Sequence, residues 1–439
     1  MKIKIIDQPY SKVISKKVNK RKKPIRPNMF FRILLKGVSL PDMLKTRFKL
    51  EKVGMEKLGK KEPCLFLMNH SSFIDMEIAV SSLFPRAFNI VTTYDAFIGK
   101  DLLMHLIGCI PASKYMSDPA MVRDTLYAVK KLNNSVLLFP EAGYSFDGTA
   151  TPIPDTVGRY VKMLGIPVVM IRTYGAFSRD PLYNNLQIRK VPVSAKMEYI
   201  FSADQVEALS AVEIQAKLNQ LFTFDNFAWQ QENNIVIDED FRADGLNRVL
   251  YKCPHCLAEG QTEGKGVKLI CHSCKKEYTL TPFGRLEAVE GESAFTQVAD
   301  WYAWERECVR REIEEGKYSV SLPADICMTV DLKKFYRVGK GRLSHSLKGF
   351  ALEGCDGELS YTQSPTASYS LFSDFNWYEI GDLVCIGNSK TLYYCVPETE
   401  GDIVAKMRLA TEETYKLEMA KKRSKVTLAK QEASPSDDQ

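Results

Sequence analysis

The chain has 439 residues, 45% hydrophobic and 26% charged, with a formal net charge of +6, which describes a globular protein long enough for two or three domains. It contains no run of about 18 apolar residues, so no transmembrane helix is expected, and no adequate apolar core follows Met1-Lys2 to make a secretory signal. Eleven cysteines, four of them in paired CxxC motifs, point to reduced thiols and a metal site rather than a disulfide framework, and so to the cytosol or its membrane face.

In chain order, residues 1–29 form a basic arm. Lys12, Lys16, Lys17, Lys20, Arg21, Lys22, Lys23 and Arg26 occur with no acid between them, and the apolar stretch Met29–Lys36 follows. A basic block beside an aromatic, apolar segment suits an anionic membrane surface. A solubilising arm or a nucleic-acid patch has the same composition. Residues 45–60 read as an exposed strand pair or loop. Leu65–Met68 then reads as a buried strand broken by Asn69-His70-Ser71-Ser72. Ser72, with Asp75 three residues on, fits a helix start with Ser72 as N-cap. His70 would thus sit at the mouth of a strand-to-helix turn. A neutral imidazole there can take a proton from a hydroxyl while a carboxylate fixes its tautomer. A structural histidine beside a capping acid would show the same residues.

Further on, Asp75–Leu83 reads as a helix, Phe88–Thr93 as a strand and Asp101–Ile107 as a short helix with His105 packed inside. An amphipathic helix over Pro119–Leu132 leads to a strand ending at Glu141. Gly143–Pro154 reads as a loop, Thr156–Leu164 as a helix and Pro167–Thr173 as a strand. Arg189–Val193 and Ala195–Phe201 read as strands, Ala211–Leu221 as a helix, and Phe224–Gln230 closes an α/β domain spanning 30–232.

Asn69-His70-Ser71-Ser72-Phe73-Ile74-Asp75 and Phe139-Pro140-Glu141-Ala142-Gly143-Tyr144-Ser145 together resemble the glycerolipid acyltransferase family, which includes the 1-acylglycerol-3-phosphate acyltransferases. Gly108–Lys114 and Gly165–Val169 resemble its second and fourth motifs, and all four occur in the family's order. The resemblance covers roughly residues 30–230 and implies His70 and Asp75 as the catalytic pair. It also implies Glu141, Gly143, Lys114 and Tyr144 at the substrate-binding positions. This chain departs from the family where Ala142-Gly143 replaces Gly-Thr, Tyr144 replaces Arg and Lys114 stands at the second-motif Arg. Lysine offers phosphate a point charge and tyrosine one neutral donor, where arginine gives a fork. Arg159, Lys162 and Arg172 are candidate substitutes.

Cys253-Pro254-His255-Cys256 and Cys271-His272-Ser273-Cys274, fourteen residues apart, suit a tetrahedral four-thiolate zinc site in a ribbon over 245–285. His255 and His272 read as spectators and the metal as structural; no organic cofactor is expected. Over 290–420, a helix at Ala294–Glu315 precedes a small β-rich domain, a barrel or pleckstrin-homology-like sheet, and a helix at Ile403–Lys421. Residues 421–439 read as a disordered tail.

The resemblance implies acyl transfer from acyl-CoA or acyl carrier protein to a hydroxyl of a lysophospholipid-like acceptor, with lysophosphatidic acid the default. With the cysteine usage and the basic arm, the expected location is cytoplasmic, peripheral on the inner membrane face. A catalytically silent lipid-binding scaffold is the rival reading. A nucleic-acid module is a weaker one, since no basic-aromatic stripe surrounds the ribbon.

Overall fold

The computed structural model describes residues 4–17, 21–331, 333–377, 379–399 and 401–432. Its first sheet has seven strands, in the order Lys49–Val53, Ser194–Phe201, Val168–Tyr174, Leu65–Met68, Ser135–Leu138, Phe88–Thr93, Cys109–Ala112. All neighbours run parallel except Val168–Tyr174 against Ser194–Phe201. Both faces are covered, so the central strands are apolar on both sides. Leu65, Leu67 and Val136 enter one core cluster, whereas Phe66, Met68 and Leu137 enter another across the sheet. This is the two-residue alternation of a strand sorted between two layers.

Register decides where the chemistry emerges. Leu65 pairs with Val136 and Leu67 with Leu138, in parallel. The turn after Met68 and the turn after Leu138 therefore leave the same edge side by side, as parallel α/β sheets place ligand-binding loops.

A second, four-stranded antiparallel sheet holds Thr262–Lys265, Lys268–Cys271, Glu277–Leu280 and Leu286–Ala288. A third follows the order Leu359–Gln363, Gly349–Gly354, Phe335–Ser346, Ser319–Thr329, Leu392–Pro397, Gly381–Gly387, Phe372–Trp377. The helices Val298–Glu314 and Val404–Glu432 accompany it. One apolar cluster joins the second and third sheets to segments outside the first sheet's strands, running from Phe146 and Phe177 through Tyr251 and Tyr278 to Trp301, Ile326 and Met407. Trp301 is fully buried and its indole N–H donates to Lys252 O at 2.9 Å.

Several elements differ from the sequence expectation. The basic arm is partly built into the fold: Ile5–Asp7 pairs in parallel with Phe335–Arg337. Residues 45–60 hold one strand, Lys49–Val53, whose partner lies distant in sequence. Arg189–Val193 forms no strand. Val191 and Val193 are buried, but Arg189 is tied to Tyr183 Oη (3.1 Å) and Arg242 O (2.8 Å) instead of entering a ladder. An additional helix, Ala203–Ala208, starts at a capping box of Ser202 and Gln205. The C-terminal sheet has two unpaired ends among the described residues, so it is not a closed barrel. The expected disordered tail at 421–439 is helical as far as Glu432, and 433–439 lie outside the described residues.

The helices Val157–Leu164 and Ala211–Leu221 cross closely at Gly158, where an added Cβ would lie 2.2 Å from Ala211 O. Backbone cannot yield there as a flexible side chain would. Gly158→Ala is expected to cost about 1–3 kcal/mol of stability, read by chemical denaturation; an unchanged midpoint would show that the two helices separate easily.

Candidate active site

His70 follows the strand Leu65–Met68, and Asp75 opens the helix Asp75–Leu83. Asp75 is fully buried, and its Oδ2 faces His70 Nδ1 at 3.0 Å. The same oxygen accepts from the backbone N–H of Ser71 (2.6 Å) and Ser72 (3.0 Å). A carboxylate surrounded by donors is an acceptor, which puts the His70 proton on Nδ1 and leaves Nε2 with a lone pair. The helix start differs from the Ser72 N-cap expected: the acid within the first turn reaches back to the amides before it. A full ionised carboxylate is a stronger acceptor than a serine hydroxyl.

The His70 ring packs against Phe139, with centroids 4.2 Å apart, and against Tyr144, at 4.1 Å. Phe73 extends the aromatic cover 4.9 Å from Tyr144. Burial lowers the His70 pKa below its ordinary value and outweighs the opposing pull of Asp75, while the Lys114 charge lowers it further. A neutral, proton-accepting imidazole is thus favoured at neutral pH.

Glu141 is 2% exposed, and both its oxygens meet backbone amides. Oε2 accepts from His70 N at 2.6 Å and Oε1 from Thr151 N at 2.8 Å. Burial pushes its carboxyl up to about 8, against the two amides that favour the charged form. The resemblance implied acceptor contact for Glu141, whereas its two oxygens face inward. Asn69 joins in: its Oδ1 accepts from Thr173 N at 2.8 Å and its Nδ2 donates to Ser71 Oγ at 3.0 Å. Thr173 carries no motif, and only the tertiary fold identifies it.

The expected phosphate-binding positions are rearranged. Tyr144 covers His70. Lys114 Nζ lies 3.8 Å from the centroid of the Phe372 ring, which belongs to the C-terminal sheet. Lys162 donates to Glu207 O and Leu209 O, and Arg172 to Leu221 O, so both are engaged on backbone carbonyls. Arg159 is exposed on its helix. An arginine that sequence reasoning missed approaches from the C-terminal helix. Arg408 is buried, its guanidinium is 4.7 Å from the Phe146 ring and 5.9 Å from the Tyr115 ring, and Glu412 pairs with it at 3.3 Å. Gly143 is required by Tyr115, whose Oη would lie 1.9 Å from a Cβ added there.

A separate cluster brings Cys253, Cys256, Cys271 and Cys274 together, with ligand atoms all within 4.8 Å of one another. His272 Nε2 instead meets Glu263 Oε2 at 2.8 Å, and His255 is exposed. None of the eleven cysteines is in a disulfide.

Residues 49–173 match the family model described as Acyltransferase. Over these residues, less than half of its length, the chain is similar to that family. A 1-acyl-sn-glycerol-3-phosphate acyltransferase of Brassica napus, described as chloroplastic, is 27% identical over 134 residues, which are 29% of this chain. The match spans 38% of that relative's length. The crystal structure of the 1-acyl-sn-glycerophosphate acyltransferase PlsC from Thermotoga maritima aligns with 44% of this chain and 76% of its own, at 14% identity and a TM-score of 0.35.

Ala142 adopts φ +56°, the left-handed region where a Cβ is strained. Ala142→Gly should therefore stabilise the protein by about 1 kcal/mol. A lowered thermal midpoint would mean that the methyl packing outweighs the strain.

Proposed function

We propose that the protein transfers a fatty acyl group from a thioester, carried by coenzyme A or acyl carrier protein, to a hydroxyl of a lysophospholipid-like acceptor. Lysophosphatidic acid is the default acceptor, by the name of the Brassica relative. The observation that carries this reading is the His70–Asp75 pair, with Nδ1 held by a buried carboxylate and Nε2 left to accept a proton. Nε2 takes the hydroxyl proton as the acceptor oxygen attacks the thioester carbonyl carbon. The C–S bond then breaks, and His70 returns the proton to the leaving thiolate. Asp75 orients the ring and stabilises its transient positive charge. Glu141 acts as a positioning residue through the His70 backbone, and Lys114 is the cation nearest this chemistry in electrostatic effect.

His70→Ala should reduce transfer to background with the fold intact, read with labelled acyl donors and a lysolipid panel; retained turnover sinks the mechanism. Bound lipid with no turnover in the wild type would favour the scaffold reading. The base must be neutral, and its pKa is lowered by burial. The acid limb of kcat should therefore lie below the ordinary histidine pKa of about 6.5. Lys114→Met removes a repelling charge and should move that limb upward. A limb unmoved by Lys114→Met would separate Lys114 from the base.

The cysteine cluster supports structural zinc. Sulfur pairs Cys253–Cys274 and Cys256–Cys271 are each 3.7 Å apart, close to the ~3.8 Å edge of a tetrahedron with zinc–sulfur bonds of about 2.3 Å. Four cysteine donors, with both neighbouring histidines outside the set, fit a closed site that would hold the small ribbon sheet together. One zinc per chain by elemental analysis, and a lower thermal midpoint after chelation, are expected. A metal-free protein with an unchanged midpoint would remove the assignment.

Peripheral membrane attachment is supported by the helix Met29–Lys45, which exposes Phe30, Ile33, Val38 and Leu44 beside Arg32 and Lys36. Among the described residues no helix is long and apolar enough to cross a membrane.

A further inference from the structure

The strand Val168–Tyr174 runs parallel to Leu65–Met68 on the side away from Ser135–Leu138, so the turn that follows it opens at the edge where His70 emerges. The segment beyond that turn carries Arg179 and Asp180, both 4% exposed. A buried guanidinium needs partners, and here they come from opposite directions. Arg179 Nη1 donates to Asp180 Oδ2 and Nη2 to Asp42 Oδ1, each at 3.0 Å. Glu77, on the helix that Asp75 opens, faces the same group. Burial and the Asp42 charge push its carboxyl up to about 7, so near neutral pH it shares a proton with Asp42 and leaves the guanidinium to the two aspartates.

The two ends of this chain of charges have different surroundings. Asp180 lies beside Ser72 and Asp75: the Ser72 hydroxyl favours its charged form and the Asp75 charge opposes it. Ser72 also gives one of the two amides that hold Asp75 Oδ2 against His70. Asp42, by contrast, belongs to the helix Met29–Lys45, and its side chain is 36% exposed. It sits between Leu40 and Leu44, which face outward along with Ile33 and Val38. One guanidinium thus spans from the helix with the exposed apolar face to the residues that orient the base. Water around a half-exposed ion pair weakens it. A lipid surface laid on the helix would remove that water and strengthen the bond between Asp42 and Arg179.

We propose that Arg179 is a positioning residue that makes the His70–Asp75 pair respond to a lipid surface. Docking of the helix Met29–Lys45 tightens the chain Asp42–Arg179–Asp180, and Asp180 passes the constraint through Ser72 to the carboxylate that orients His70. The proposal rests on the acyl-transfer and peripheral-attachment readings and supplies a link between them.

The test compares the full-length wild type with Asp42→Asn and Arg179→Lys, with and without vesicles of phosphatidylglycerol and phosphatidylcholine, and with thermal midpoints measured alongside. Asp180 still meets the Arg179 charge in Asp42→Asn, so the fold is expected to survive. The outer face of the helix is unchanged, so vesicle co-sedimentation should match the wild type. Backbone hydrogen exchange over residues 69–76 reads the amides of Ser71 and Ser72. Vesicles should slow it about threefold in the wild type, the scale of a strengthened ion pair, and leave it unchanged in Asp42→Asn. The kcat toward a short-chain, monomeric lysolipid should rise with vesicles by a similar factor in the wild type and not in Asp42→Asn. Arg179→Lys keeps the charge and loses the fork, so it should retain only part of both responses. Equal vesicle responses in wild type and Asp42→Asn overturn the proposal. So does a wild type that binds vesicles with no change in exchange, because Arg179 would then be merely structural. Failure of the underlying readings looks different. A wild type that does not sediment with vesicles removes the attachment, and the link with it. Slowed exchange that depends on Asp42, with no His70-dependent transfer, keeps the link and removes the reaction. Transfer stimulated equally in both proteins keeps the reaction and removes the link.

Discussion

The buried carboxylate of Glu141 joins the two turns on which the site is built. It accepts one amide from His70 and another from Thr151, so it ties the end of one strand to the loop following its neighbour. An unsatisfied amide in this apolar setting would be costly, which gives the turn strong reason to keep this shape. The parallel register of Leu65–Met68 with Ser135–Leu138 makes the contact reachable. Ser145 N closes the same link by donating to His70 O at 2.8 Å.

On this frame the imidazole is set from both sides. Asp75 holds Nδ1 through an oxygen that also binds two amides, so the acid cannot rotate without breaking several bonds at once. Phe139 and Tyr144 lie against the His70 ring, and burial lowers its pKa, which favours the neutral imidazole. Tyr144 performs this covering at the position where the family has arginine. The departure from the motif thus changes how the base is enclosed as well as how charge is supplied.

The remaining half of the chain reaches this site directly. Phe372 meets Lys114, Arg408 stacks on Phe146, and Tyr369 N donates to Tyr115 O at 3.0 Å. Arg408 is buried and offset by Glu412, whose carboxyl is held down to about 2 by Arg306 and Arg408 despite its burial. A buried pair of this kind is strongly destabilising to break from one side; both partners lie on the C-terminal helix, and the contact of Arg408 with Phe146 is what joins that helix to the third-motif loop.

By itself the sequence determined the pattern of alternating strands and helices, the pairing of His70 with Asp75, and the cysteine spacing. These rest on local rules: apolar runs ended by polar turns, a short interval across a helix start, and two residues between thiols. Only the tertiary structure decided that Glu141 turns inward, that the basic arm adds a strand to a distant sheet, and that Tyr115, Thr173 and Arg408 adjoin the site. Each depends on contacts between residues far apart in the chain. Strand pairing also explains why 189–193 alternates like a strand without being one: alternation records which side chains are buried, while a strand needs a partner for its backbone.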